Sequence, residues 1–211
     1  MKEIDFFYFF GSAYAYLSVM RIEELAEAAG VTVRWRPFSV RALMKEEGNN
    51  LRTQPAKMRY IWRDIERRAI KHSVPYVRPP IWPTDPDLLA NRVGTVAMAE
   101  GWCREYTKAS FAAWFLGGAK LGDRDGLTQI LKRLGKDPTS VIERAHSEEI
   151  GALYDAQTDA ARSIGAFGSP TFGVDGEAFW GDDRLEEAID WAVGRHLAQH
   201  PPAGQVSNAS M

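Results

Sequence analysis

The chain has 211 residues, 45% of them hydrophobic, which suits one ordinary domain or a core domain carrying an insertion. Its 26 basic and 28 acidic residues are well mixed and leave a formal net charge of -2. That balance provides no footprint for nucleic acid or an anionic membrane, and points to a neutral or small-molecule partner. A lone cysteine, Cys103, excludes an internal disulfide, a Cys-x-x-Cys redox pair and a thiolate zinc site within one chain. The start shows no signal-like segment and no apolar run approaches the roughly 18 residues of a membrane span, so a cytoplasmic protein is expected.

The aromatic run from Ile4 to Phe10, closed by Gly11, reads as a buried strand. Ser12 then opens an amphipathic helix with Tyr14, Leu17, Ile22, Leu25 and Ala29 on one face, ending at Gly30. Ser12 thus sits at a strand-to-helix turn, where its hydroxyl can cap the helix. The unpaired N–H groups and positive dipole end at that turn also suit a thiolate or carboxylate. Val31 to Pro37 alternates like a half-buried strand, which completes a β-α-β unit with parallel strands.

From Ser39 the pattern turns helical. Gly48-Asn49-Asn50-Leu51 reads as a loop, and Met58, Ile61, Ile65 and Ala69 repeat at helical spacing among many Arg and Lys, the mark of a solvated helix face. Five prolines between Pro75 and Pro86 exclude a helix or central strand there, yet Tyr76, Ile81 and Trp82 require that loop to cover something apolar. Asp87 is expected to cap a helix running to about Gly101, followed by helices from Cys103 to Gly117, Asp125 to Gly135, Asp137-Pro138 onward, and Glu148 to Ile164. Then Gly168 to Val174 and Glu177 to Trp180 read as short strands joined by an Asp175-Gly176 hairpin turn, and residues 181–184 cap a last helix. His72, His146, His196 and His200 lack metal-ligand spacing.

The order is therefore β-α-β, a long helical insertion, then β-β-α, an α/β order that, with Pro170 before the third strand, resembles the thioredoxin-like fold. The division expected is 1–38 with 166–197 as the thioredoxin-like part, 39–165 as the insertion, and 198–211 as an unordered tail.

Several motifs in this order resemble the 2-hydroxychromene-2-carboxylate isomerases, relatives of kappa-class glutathione transferases and DsbA-like proteins. They are Phe-Gly-Ser-Ala-Tyr-Ala-Tyr-Leu at 10–17, Arg-Pro-Phe at 36–38, Pro-Ala-Lys at 55–57, Phe-Gly-Ser-Pro-Thr-Phe at 167–172 and Phe-Trp-Gly-Asp-Asp-Arg-Leu at 179–185. Ala13 departs from the usual Ser-Pro-Tyr, and the segment 83–87 lacks the family's Asn-Thr pair.

The resemblance implies glutathione as cofactor, an aromatic small-molecule substrate and a homodimer. It implies that Ser12 donates to the glutathione sulfur and that Ser169, before Pro170, pairs with the cysteinyl part. Asp183, with Asp182 in the same motif, would meet the γ-glutamyl end, Lys57 and Asn50 (or Asn49) the other end, and Tyr14 and Trp82 the acceptor. Read without it, Asp183 is an ordinary N-cap, Lys57 a surface lysine and Trp82 a core residue. A transferase that leaves glutathione on its product, a disulfide oxidoreductase and a non-catalytic glutathione- or peptide-binding scaffold are the alternatives, and Ser12 at the attacking position weighs against the second.

Overall fold

A computed structural model describes residues 2–48, 55–80 and 82–199. Its elements in order are β1 (Lys2–Tyr8), α1 (Ala13–Val19), α2 (Ile22–Ala29), β2 (Val31–Pro37), α3 (Val40–Glu46), α4 (Pro55–Lys71), α5 (Leu89–Ala99), α6 (Cys103–Gly117), α7 (Arg124–Arg133), α8 (Pro138–Ala145), α9 (Glu148–Ser163), β3 (Thr171–Val174), β4 (Glu177–Trp180) and α10 (Leu185–Ala192). The expected tail begins with a short 3-10 turn at Leu197–Gln199, and its remainder lies outside the described residues.

The sheet runs β2-β1-β3-β4. β1 and β2 are parallel, in register from Lys2 opposite Val31 to Tyr8 opposite Pro37, while β3 is antiparallel to both β1 and β4. This is the expected thioredoxin-like α/β fold with a large helical insertion. The central place of β1 explains why its sequence is aromatic without alternation: both faces are buried. Ile4, Phe6, Tyr8 and Phe10 enter the main core with α1, α5 and α6, whereas Phe7 and Phe9 pack on the other side against Phe38, Val40, Leu43 and Ala161. Phe6 stacks on Phe172 at 5.3 Å between ring centres, Phe10 on Phe111 at 5.5 Å and Tyr16 on Phe115 at 3.8 Å.

Several local expectations change, and β3 begins at Thr171 rather than Gly168. The first helix is two, broken at Met20 and Arg21, because Arg21 turns into the protein toward Asp182 and Glu186 instead of out to solvent. Asp87 is exposed and does not cap α5. The cap is Asp85, fully buried, whose carboxylate accepts from Ala90 N at 3.2 Å and Asn91 N at 3.1 Å. Its reach over a longer loop is made possible by Leu88 in the left-handed region, φ 63. Asp123, not Asp125, stands at the start of α7. The hairpin forms as expected, with Asp175 and Gly176 both at positive φ, as a tight turn between twisted strands demands.

Cys103 is buried at the start of α6, with Tyr8 Oη at 3.1 Å from its sulfur. Burial pushes the thiol up to about 12. Native protein at pH 8 is therefore expected to resist a thiol-specific reagent that labels the urea-unfolded chain within minutes; equal labelling of the two forms would contradict this placement.

Candidate functional site

The turn between β1 and α1 is tight because Phe9 O accepts from both Gly11 N at 2.8 Å and Ser12 N at 3.0 Å, which ends the strand at Tyr8, two residues before the aromatic run stops. Other elements hold this turn at four points. Phe9 N donates to Ser169 Oγ at 3.0 Å, and Phe10 N to Asn91 Oδ1 at 3.0 Å. Trp82 Nε1 donates to Gly11 O at 3.1 Å, and Ser12 Oγ donates to Ser169 O at 2.7 Å. Ser12 also caps α1, accepting from Ala15 N at 3.3 Å.

The structure thus brings Ser12, Ser169, Pro170 and Trp82 to one place. The Ser169–Pro170 peptide is cis, as is Trp82–Pro83. Ser12, Ser169 and Trp82 are partly open to solvent, while Pro170 is buried. Pro170 O accepts from Gly181 N at 3.0 Å and so joins this corner to the turn before α10.

In that turn the two aspartates diverge. Asp182 is 1% exposed, and its carboxylate is gripped by Arg68 of α4, whose Nε lies 3.0 and 2.8 Å from the two oxygens. Arg21 approaches it at 4.0 Å. Burial pushes the Asp182 carboxyl upward while these guanidiniums pull it back. Asp183 is exposed and pairs with Arg184 at 2.9 Å. Tyr14 leans on α4, its hydroxyl donating to Asp64 Oδ2 at 2.9 Å, and burial with that carboxylate raises its ionisation well above the usual phenol range. Lys57 is exposed two turns before Asp64 on the same helix. Asn50 lies outside the described residues.

Sequence patterns alone missed Asp64, Arg68, Asp85 and Asn91. The basic crowd on α4 is not wholly a solvated face: Arg63 pairs with Glu66 and Arg67 with Asp64 on the surface, but Arg68 points inward. Arg68 was hidden among like residues, and only its place one turn after Asp64 along the buried side of α4 distinguishes it. In the proline-rich loop Thr84 and Asp85 are fully buried, and Trp82 reaches the Ser12 turn through Gly11 O. Phe167, two residues before Ser169, and Trp180 of β4 are 4.6 Å apart between rings and about half exposed, with Trp180 lying over Gly168.

Clefts of about 370 and 380 Å³ lie elsewhere, along β1, β2 and the β3–β4 turn, and contain neither Ser12 nor Ser169. Their charged walls are largely self-neutralised, Arg34 by Glu3 and Asp5 and Arg104 by Glu23. Convergent polar groups, not cleft size, mark the Ser12 corner as the candidate site. Among the described residues no helix is long and apolar enough to cross a membrane, and no group of His, Cys, Asp or Glu is placed to hold a metal ion.

Known proteins are similar to this chain along nearly its whole length. A 2-hydroxychromene-2-carboxylate isomerase of Pseudomonas putida is 29% identical over 93% of this chain and 97% of its own. Glutathione S-transferase kappa 1 of Caenorhabditis elegans is 24% identical, covering 90% of each chain. A solved structure of 2-hydroxychromene-2-carboxylate isomerase superposes with a TM-score of 0.80 at 27% identity, over 92% of this chain and 95% of that one. With residues 3–190 matching the family pattern, the chain belongs to the DSBA-like thioredoxin domain family and is homologous to the 2-hydroxychromene-2-carboxylate isomerases.

Proposed function

We propose that this protein is a glutathione-dependent isomerase acting on an aromatic 2-hydroxychromene-2-carboxylate-like substrate. The observation that carries the reading is the Ser12 hydroxyl, placed at a helix start and 2.7 Å from the carbonyl of Ser169, the residue before a cis-proline. The resemblance implies a cysteine at this position in disulfide-making relatives; a serine there can hold a sulfur supplied by a ligand but cannot itself exchange disulfides.

The residues present fit glutathione. Ser169 offers backbone groups for a strand-like pairing with the cysteinyl part, its carbonyl retaining a second lone pair beyond the bond from Ser12. Asp183, exposed ahead of α10 and now paired with Arg184, would instead pair with an α-amino group, while Asp182 acts from beneath by fixing the turn through Arg68. Lys57, with Asn50 nearby in sequence, is assigned to the glycyl carboxylate end. Tyr14 and Trp82 border the acceptor.

Glutathione held there by Ser12, Ser169 and Asp183 would supply a thiolate as a reversible nucleophile toward the substrate's conjugated system, regenerated when the isomer leaves. The chain's part is electrostatic and positional. Ser12 turns its proton from Ser169 O onto the sulfur, and the first N–H groups of α1 add positive potential, so the thiolate forms nearer neutral pH. Trp82 fixes the turn through Gly11 O, which keeps that donor in place. Cytoplasmic residence and a homodimer accompany this reading.

The test is glutathione binding by calorimetry together with a pH titration of the bound thiol by ultraviolet absorbance. Binding with ionisation at lower pH than free glutathione supports the thiolate site; no binding at millimolar glutathione overturns it. Conversion of a hydroxychromene acid to its isomer without loss of glutathione then supports isomerisation, and a glutathione conjugate among the products would favour the transferase reading instead.

A further inference from the structure

We propose, on the thiolate reading of the Ser12 turn, that Asn91 held by Asp85 is a positioning residue for that site. Neither side chain touches the ligand region. Both are fully buried, at 0% exposure, in the helical insertion.

The carboxylate of Asp85 sets which way the Asn91 amide faces. Asp85 Oδ2 accepts from Asn91 Nδ2 at 2.7 Å and from Asn91 N at 3.1 Å, so the amide nitrogen is drawn toward the acid. The amide oxygen must then point away, and it meets Phe10 N at 3.0 Å. Flipped, Asn91 would turn donors toward the Phe10 donor, and a buried N–H would be left unsatisfied. Arg41 in turn holds the loop carrying Asp85, donating to Asp85 O and Pro86 O at 2.7 Å each.

Phe10 is fixed from its other end as well. A Cβ placed on Gly94 of α5 would come within 2.6 Å of the Phe10 ring, so ring and helix are already in close contact. One turn of α5 thus grips both the backbone and the side chain of Phe10, two residues before Ser12. Ser12 Oγ must keep its place to within about 0.5 Å to act on a sulfur, because misplacement of about 1 Å costs on the order of a hundredfold in rate. The Asp85–Asn91 pair therefore sets the angle from which Ser12 faces the bound thiol.

The experiment compares full-length wild type, Asn91→Leu, Asp85→Asn and, as a control for stability loss, Leu131→Ala in the distant helix α7. Each is checked for fold by circular dichroism. Glutathione binding, pH titration of the bound thiol and turnover of 2-hydroxychromene-2-carboxylate are then measured. Asn91→Leu is expected to bind glutathione, to ionise its bound thiol at higher pH than wild type and to lose about tenfold or more in kcat, with a smaller change in KM for glutathione. Asp85→Asn is expected to fall between, and Leu131→Ala to leave the ionisation unchanged.

A folded Asn91→Leu with wild-type ionisation and kcat overturns the proposal. Should Asn91→Leu not fold, the isosteric Asp85→Asn decides by the same comparison. Wild type that binds no glutathione overturns the thiolate reading and this proposal together, whereas wild type that binds and variants that match it overturn this proposal alone.

Discussion

Asp182→Ala is expected to lower the free energy of unfolding by about 3–5 kcal/mol, read as a drop in the urea midpoint with an unchanged slope. The carboxylate is 1% exposed and receives Arg68 through both oxygens, with Arg21, itself only 9% exposed, at 4.0 Å. Removing it leaves two guanidiniums facing each other in a water-poor site, so the loss exceeds that of an ordinary surface pair by several-fold. Arg21 retains Glu186, which softens the effect at that end. Asp182→Asn keeps an acceptor and should cost less. Because Arg68 and Asp182 form one unit, Arg68→Ala combined with Asp182→Ala should cost clearly less than the sum of the two singles. A loss of under about 1 kcal/mol for Asp182→Ala would mean that the pair is solvated in solution.

Ser12→Ala is expected to reduce turnover roughly a hundredfold and to return the bound thiol's ionisation toward that of free glutathione. The same change removes a helix cap, which costs about 1 kcal/mol of stability. The two effects separate with Ser12→Thr, which keeps a hydroxyl and should recover much of the ionisation shift, and with Ser12→Asp, which keeps a cap but sets a negative charge against the thiolate and should recover only stability. An unchanged thiol titration in Ser12→Ala would return Ser12 to a structural role.

Much of the fold was legible because its signals are local. The Gly11-Ser12 junction, the parallel strand Val31–Pro37, the Asp175-Gly176 turn and the Asp137-Pro138 helix start each follow from chemistry within a few residues. Ser12, Ser169 and Pro170 were legible as a set only through resemblance, since nothing near position 12 announces a partner at position 169. What stayed hidden depends on contacts across long separations. Arg68 meets Asp182 across 114 residues, Asn91 meets Phe10 across 81, and Tyr14 meets Asp64 across 50. The break at Arg21 was masked for the same reason: its apolar neighbours keep helical spacing, and only the buried acid explains why the backbone departs.

The main core is continuous from the sheet into the insertion, with Tyr8 and Phe10 of the first segment against Phe111 of α6 and Val93 of α5. Neither part can therefore melt by itself without opening an aromatic seam to water. Heating should produce one calorimetric transition whose van't Hoff and calorimetric enthalpies agree, and an excised insertion should behave as a collapsed, dye-binding globule. Chain connectivity makes the helical segment look like an addition to a smaller domain, but in unfolding the two should behave as a single cooperative body.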